Sequence, residues 1–195
     1  MKKQALLGGS FDPIHNGHLS LAVDMMEKWQ VEILFCPAFC SPHKKQQPPV
    51  AAAQDRLAMV ELAIAPFPHF SLLTLEIERQ KPSYTVETLA ELTKSQQELF
   101  FIMAKEHIYS FADWKDPLAI LKLASPLIGY NGEEQAVLEQ IPVKWHHLFK
   151  KGLTKTRRID VSSTELRNRL KKQHPIEHLV PAKVVDYIKN KQLYL

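Results

Sequence analysis

Short apolar runs alternate along this chain with longer stretches in which apolar residues recur every three or four positions. The short runs are typical of buried strands, and the longer periodic stretches are typical of amphipathic helices. Their alternation predicts an α/β fold in which a parallel sheet is flanked by helices. The predicted strands are residues 4–7, 32–36, 71–75, 98–103, 125–130 and 143–148. The predicted helices are residues 17–29, 54–65, 85–93, 118–123, 163–172 and 181–191.

The segment 39–53 interrupts this alternation. It contains three prolines together with several lysines and glutamines, and this composition predicts a long loop that could close over a ligand. No internal repeat or linker divides the chain, and 195 residues are enough for one well-buried domain. We therefore expect a single domain over residues 1–195.

The composition narrows the class of protein. With 45% hydrophobic and 24% charged residues, the chain is expected to be globular rather than disordered. Its net charge of +4 suits a polyanionic ligand, but this excess is too small to require a nucleic-acid partner, and we expect none. The first residues lack the apolar run of a secretory signal, and no run approaches the length of a membrane span. We expect a cytoplasmic protein without membrane association, in which Cys36 and Cys40 are reduced thiols.

A glycine-rich segment with two histidines follows the first predicted strand. Residues 8–18 read Gly-Gly-Ser-Phe-Asp-Pro-Ile-His-Asn-Gly-His. The free N–H groups and positive dipole end of a helix start favour an anion, and glycines let a polyphosphate approach the backbone. His15 and His18 are three residues apart, so both rings fall on one face and can donate to the same polyphosphate. The alternative, a tight turn beside ordinary surface histidines, does not explain why all these features occur together.

A second segment, 160–167, combines hydroxyl residues with an arginine. Ser162 and Glu165 fit a capping box, so the simplest interpretation is a well-capped helix. That interpretation leaves Arg167 unexplained. One turn into the helix, its guanidinium can reach back to an anion held by the hydroxyls and free N–H groups. The segment is therefore a second candidate phosphate site.

Together the two segments resemble the two signatures of the nucleotidyltransferase superfamily, His-x-Gly-His and Ser-Ser-Thr-x-x-Arg. More narrowly, the chain is similar to bacterial nicotinate-mononucleotide adenylyltransferases over nearly its whole length, and the Pro-Ser-Tyr-Thr segment at 82–85 narrows it to this branch. The other matching pieces are Pro-His-Lys at 42–44, Asp-Arg-Leu-Ala-Met at 55–59, Trp114, and the segments 179–181 and 187–188.

The resemblance implies transfer of AMP from ATP to nicotinate mononucleotide, which gives deamido-NAD and pyrophosphate. It also implies a Rossmann-like doubly wound parallel sheet with a helical C-terminal portion, and Mg²⁺ bound through the ATP phosphates. The attacking phosphate is already ionised at neutral pH, so the chemistry requires positioning and charge stabilisation rather than a catalytic base. The partners are therefore expected to be these two nucleotides, and the oligomeric state stays open.

The resemblance also implies a role for individual residues. The expected catalytic residues are His15, His18, Lys44 and Arg167, with His18 at the α-phosphate and the others along the triphosphate. The expected ATP-binding residues are Gly8, Gly9, Ser10, Phe11, Gly17, Glu106, Ser162, Ser163 and Thr164. For the acceptor, Trp114 would stack on the pyridine ring and Thr85 would donate a hydrogen bond near it. Core packing for Trp114 and a helix start for Thr85 are the alternatives.

Three departures from the family pattern concern substrate choice. Residues 104–106 read Ala-Lys-Glu where the family has Gly-x-Asp, Lys115 replaces an aromatic, and an arginine expected after the fifth strand has no counterpart. Two alternatives therefore remain: a nucleotidyltransferase for a different phosphorylated acceptor, and a non-catalytic nucleotide-binding relative. We further expect Asp12 to orient its loop. Glu76 and Glu78 are expected at a solvated strand edge, and His146 with His147 on an exposed strand.

Overall fold

A parallel sheet forms the centre of the molecule. The computed structural model describes residues 2–42, 48–94, 98–108, 110–139 and 141–195, with the backbone alone at 106, 138 and 144. In this part of the chain the sheet has six strands in the order β3-β2-β1-β4-β5-β6, and every neighbouring pair is parallel. The strands are β1 (Lys3–Gly9), β2 (Glu32–Pro37), β3 (Phe70–Leu72), β4 (Glu98–Ala104), β5 (Ser125–Tyr130) and β6 (Leu153–Lys155).

Helices cover both faces of this sheet. They are α1 (Asn16–Trp29), α2 (Ala53–Ile64), α3 (Leu75–Arg79), α4 (Thr85–Leu92), α5 (Pro117–Leu123), α6 (Glu134–Leu138), α7 (His146–Gly152), α8 (Ser163–Lys171) and α9 (Ala182–Asn190). Short 3₁₀ turns occupy Lys105–His107, Phe111–Asp113 and Val143–Trp145. The predicted α/β class and the Rossmann-like doubly wound sheet are confirmed.

The strands are apolar on both sides because each side faces a helical layer. Along β1, Ala5 and Leu7 pack into one core with α1, α2, α8 and α9, whereas Leu6 packs into the other with α4, α5 and α7. The same alternation continues in β4, where Phe100 and Phe101 lie in different cores. A strand buried on two faces needs a continuous apolar run, which is the pattern seen in the sequence.

The strand order places a ligand crevice beside β1. The chain winds outwards from β1 through β2 to β3, and then returns to the other side of β1 with β4. In open parallel sheets, ligands bind beyond the carboxyl ends of the strands at this reversal point. The residues at the ends of β1 and β4, Gly9 and Ala104, therefore frame the expected site.

Several local predictions were wrong. The strand predicted at 71–75 ends at Leu72, and Leu75 begins α3. The strand predicted at 143–148 is a 3₁₀ turn followed by α7, so His146 and His147 begin a helix, and the sixth strand comes later, at β6. Both segments are short, and a few residues carry too little periodicity to distinguish a strand from a helix.

Glu76 is a further correction, because it is not on a solvated strand edge. It lies on α3, is buried, and accepts a 2.6 Å hydrogen bond from the Thr88 hydroxyl on α4. The predicted loop 39–53 has no strand or α-helix in its described parts before Ala53, which begins α2, and residues 43–47 lie outside the described residues. Within the described ranges, no helix combines the length and the apolar character needed to cross a bilayer.

Candidate active site

The glycine-rich segment forms the turn from β1 into α1. At Gly8, a Cβ atom would meet no other atom within 4 Å, so this position opens directly onto free space. A Cβ at Gly9 would stand 3.1 Å from Cζ of the Phe11 ring. A Cβ at Gly17 would stand 3.0 Å from His15 Nδ1. Glycine at position 17 thus leaves room for the imidazole over the helix start.

The two histidines stack on each other at the first turn of α1. Their ring centroids are 3.7 Å apart with an interplanar angle of 25°. The backbone N–H of His15 donates to His18 Nδ1 at 3.3 Å. An accepting Nδ1 carries no proton, so in the neutral ring the proton sits on Nε2. His18 can therefore donate a hydrogen bond from Nε2.

His15 is the more buried of the pair. Only 6% of its surface is exposed, and its Nδ1 has no hydrogen-bond partner among the described residues. Burial lowers the pKa of His15 from 6.5 to about 4, because the charged ring would lose its hydration. At neutral pH the ring is uncharged, so a hydrogen bond that it donates is not charge-assisted.

The second candidate segment docks against the first. Ser162 caps α8, where its hydroxyl accepts a 3.1 Å hydrogen bond from the Glu165 N–H. Ser163 Oγ donates to the Pro13 carbonyl at 2.8 Å. The predicted cap is therefore present, and these bonds bring the start of α8 to the glycine-rich turn, 150 residues away in sequence.

Arg167 lies at the junction of the two segments. Its Nη1 donates to the Asp12 carbonyl at 2.8 Å, and its Nη2 donates to Thr164 Oγ1 at 3.2 Å. The side chain is 22% exposed and also lines a cavity beside the turn. This residue is fixed by the loop and also faces the space beyond it.

Asp12 and Arg56 fix the backbone around the glycine-rich turn through buried hydrogen bonds. The Asp12 carboxylate accepts hydrogen bonds from the Val50 and Ala51 N–H groups, at 2.8 and 3.0 Å. Arg56 is 1% exposed, and its Nη1 donates to the carbonyls of Ser10 and Ala38, both at 2.7 Å. The predicted loop-orienting role of Asp12 agrees with these contacts. Arg56 adds a second buried anchor.

A cavity of about 860 Å³ opens above these elements. This volume is at the upper end of the range of about 300–1,000 Å³ for small-molecule sites. The predicted phosphate-site residues that line it are Gly8, Gly9, Ser10, Phe11, His15, Gly17, His18, Ser162, Ser163, Thr164 and Arg167. The histidine pair and the guanidinium thus face one shared cavity. Lys44 lies outside the described residues, as does the Glu106 side chain.

A smaller cavity of about 220 Å³ adjoins the first, because Gly8, Gly9 and Ser10 line both. Both predicted acceptor residues, Thr85 and Trp114, line this smaller cavity. Thr85 is also the first residue of α4, and Trp114 also packs against Phe111 with ring centroids 5.3 Å apart. Core packing of Trp114 and the helix start at Thr85 are therefore compatible with acceptor binding by the same two residues.

Lys115 places a cation at the smaller cavity, where the family pattern has an aromatic. Its Nζ lies 2.7 Å from Glu87 Oε1 and 4.3 Å from the centroid of the Tyr84 ring. The Glu87 partner raises the pKa of Lys115, which keeps the amine charged at neutral pH. Buried Glu76 also lines this cavity, although its sequence pattern indicated only a solvated position.

Three further cations at the larger cavity were not predicted as site residues: Lys105, Arg157 and, on α8, Lys171. Lys105 Nζ donates to Asn131 Oδ1 at 2.9 Å, which joins the ends of β4 and β5. Arg157 follows β6 and is held by Asp24 at 3.3 Å. Arg157 and Lys171 lie in no recognisable motif, and Lys105 occupies the variable position of the family's Gly-x-Asp pattern. Lys105 and Arg157 follow the ends of β4 and β6, and their position at the cavity can be inferred only when the order of the strands is known.

The described residues contain no group of three histidine, cysteine or acidic side chains that could hold a metal ion. Asp12, a carboxylate at the larger cavity, already accepts several hydrogen bonds. This donor set suits a Mg²⁺ ion that keeps its phosphate and water ligands, since Mg²⁺ is commonly held through substrate phosphates.

Comparison with known proteins places the chain in a family. Residues 6–169 match the cytidylyltransferase-like family model. A probable nicotinate-nucleotide adenylyltransferase from Methylacidiphilum infernorum is 38% identical over 98% of this chain and 91% of its own length. Another from Clostridium acetobutylicum is 36% identical over the full length of both.

A solved structure shares the fold. Plasmodium falciparum nicotinic acid mononucleotide adenylyltransferase, complexed with NaAD, aligns with a TM-score of 0.75 over all of this chain and 98% of its own. Its sequence identity is 20%, so it supports the fold alone. From the family model and the full-length relatives, we conclude that the chain belongs to the cytidylyltransferase-like family and, within it, to the nicotinate-nucleotide adenylyltransferases.

Proposed function

We propose that this protein transfers AMP from ATP to nicotinate mononucleotide, with deamido-NAD and pyrophosphate as products. The observation that carries the proposal is the meeting of two cavities at Gly8–Ser10, one lined by the histidine pair and Arg167 and the other by Thr85 and Trp114. Such an arrangement suits a triphosphate in the larger cavity and an aromatic mononucleotide in the smaller one. The names of the relatives support the same reaction.

The reaction requires two anions to be held in line. A phosphate oxygen of the acceptor attacks the α-phosphorus of ATP, the new P–O bond forms, and the bond to the β-phosphate oxygen breaks as pyrophosphate leaves. No proton has to be removed from the attacking group at neutral pH. The protein therefore contributes alignment and donors for the developing charge.

His18 is placed to serve the α-phosphate. Its Nδ1 accepts from the His15 N–H, so Nε2 is the ring nitrogen that carries the donor proton. His15 supports it as a neutral, buried donor on the triphosphate. Lys44 stays a prediction for the same phosphates.

Arg167 and the start of α8 would bind the departing pyrophosphate. The guanidinium carries a permanent positive charge and several donors, a geometry that suits phosphate oxygens. The free N–H groups at the N-terminus of α8 add donors in the same direction. When bound, Mg²⁺ would neutralise phosphate charge and would reach the site on the ATP itself.

For the acceptor, we propose that Trp114 stacks on the pyridine ring and that Thr85 hydrogen-bonds beside it. We propose that the Lys115 amine, which lines the same cavity, exchanges its Glu87 partner for the carboxylate of a nicotinate ring, an exchange that the amide of nicotinamide would not favour. The departure from the family aromatic is therefore compatible with nicotinate mononucleotide. We also propose that the enzyme works in the cytoplasm.

The test is pyrophosphate release from ATP with nicotinate mononucleotide, nicotinamide mononucleotide and a panel of other phosphate monoesters. We expect release with nicotinate mononucleotide, and weaker release with the nicotinamide form. Turnover with another acceptor alone would overturn the proposed substrate. ATP binding without turnover on any acceptor would identify a non-catalytic relative.

A further inference from the structure

Tyr194 lies beyond α9, but its side chain reaches the glycine-rich turn. The residue is 6% exposed, and its hydroxyl donates to Asp12 Oδ1 at 2.9 Å. Burial and the Asp12 carboxylate raise the pKa of Tyr194, so the hydroxyl keeps its proton. Its backbone has a φ of 68°, in the left-handed region that costs energy for a residue with a bulky side chain. The fold maintains this contact despite an unfavourable backbone conformation.

Asp12 joins four segments of the chain. Its carboxylate accepts from Tyr194 and from the N–H groups of Val50 and Ala51. Arg167 Nη1 lies 3.7 Å from Asp12 Oδ2, but donates to the Asp12 carbonyl at 2.8 Å instead. The carboxylate and the guanidinium are therefore close in space without a direct hydrogen bond.

This geometry has an electrostatic consequence. A buried carboxylate needs compensation, and three donors supply it here. If one donor is lost, the nearby guanidinium is the strongest replacement, since charge-assisted hydrogen bonds exceed neutral ones. Arg167 would then turn towards Asp12 and away from the cavity.

We propose that Tyr194 is a positioning residue for the phosphate site, which satisfies Asp12 and so keeps Arg167 available to the ATP phosphates. The inference deepens the proposed function and rests on it for the identity of the bound anion. It is separate from the choice of acceptor, because Tyr194 bonds to Asp12, and Asp12 lines the larger cavity and not the smaller one.

The experiment compares Tyr194→Phe with Tyr187→Phe. Tyr187 is a matched control, because its hydroxyl also donates to a carboxylate, Asp55 Oδ1 at 2.8 Å, on α2. ATP affinity is measured by calorimetry with a non-hydrolysable analogue, and KM is measured for both substrates. We expect Tyr194→Phe to weaken ATP binding about tenfold. This is about the contribution of one hydrogen bond between the Arg167 guanidinium and a phosphate oxygen. The KM for the acceptor should stay unchanged, and Tyr187→Phe should leave both values unchanged.

A second pair of variants tests whether Tyr194 acts through Arg167. We expect Tyr194→Phe to have little further effect on ATP affinity in an Arg167→Ala background, since the guanidinium it positions is gone. Equal and additive losses in both backgrounds would overturn the inference, and so would unchanged ATP affinity in Tyr194→Phe. Binding is measured without turnover, so a protein that binds ATP but rejects nicotinate mononucleotide would contradict the proposed function alone.

Discussion

Removal of the His18 ring is predicted to abolish most of the activity and to leave the fold intact. The ring has a stacking contact with His15 and an edge contact with Phe11, at centroid distances of 3.7 and 5.0 Å. Aromatic contacts of this kind contribute roughly 1 kcal/mol each. The hydrogen bond from the His15 N–H to Nδ1 adds roughly 1 kcal/mol, and a total loss of roughly 3 kcal/mol is still below the typical stability of about 5–15 kcal/mol. His18→Ala should therefore remain folded at 25 °C.

The effect on catalysis should be larger. Loss of one well-placed donor to a developing negative charge costs about 10² to 10³ in kcat by analogy with oxyanion sites. Because His18 is expected to act at the α-phosphate in the transition state, kcat and kcat/KM should fall together. His18→Gln retains an N–H donor and should recover part of the rate.

The assay is pyrophosphate release under saturating substrates, with urea unfolding of each variant in parallel. His69→Ala is the control, because His69 is exposed and precedes β3, at the sheet edge opposite the cavities. It should have wild-type turnover. Near-normal adenylyl transfer by a folded His18→Ala variant would refute the role of this ring.

Three other variants test separate parts of the site. The pKa of His15 is about 4 in the folded protein and 6.5 in the unfolded chain. The neutral ring therefore favours the folded state fully above pH 6.5, and this stabilisation is lost as the pH falls towards 4. In urea unfolding, the free energy of unfolding of His15→Gln should change by roughly 3 kcal/mol less than that of the wild type between pH 6.5 and pH 4. An unchanged pH dependence of this free energy would contradict the prediction. Gly8→Ala should keep its melting temperature and weaken ATP binding about tenfold or more, because its methyl group points into open cavity space. Lys115→Met should reduce the preference for nicotinate over nicotinamide mononucleotide by roughly tenfold in kcat/KM; an unchanged ratio would exclude Lys115 from acceptor selection.

Sequence patterns predicted the elements whose signals are local. The start of α1 at a glycine-rich turn, the cap of α8 at Ser162 and the four strands β1, β2, β4 and β5 all depend on a few neighbouring residues. The predicted convergence of His18 and Arg167 on one cavity came from the family resemblance, because nothing in the spacing of the two segments requires them to meet.

Contacts between distant segments account for what was missed. Glu76 was expected to be solvated, but α3 turns it towards Thr88 on α4. Tyr194 contributes to the site through a bond to Asp12, 182 positions away, and no local pattern predicts such a pairing. Lys105 is recognised only when the sheet order places the ends of β4 and β5 at the cavity.

We propose that the stacked imidazoles and the Arg167 guanidinium hold one polyphosphate. A crystal structure of the protein with a non-hydrolysable ATP analogue tests it most directly. We expect phosphate oxygens within hydrogen-bond distance of both His18 Nε2 and the Arg167 guanidinium, in the cavity above Gly8. Phosphates bound elsewhere, or bound by only one of these two groups, would contradict it.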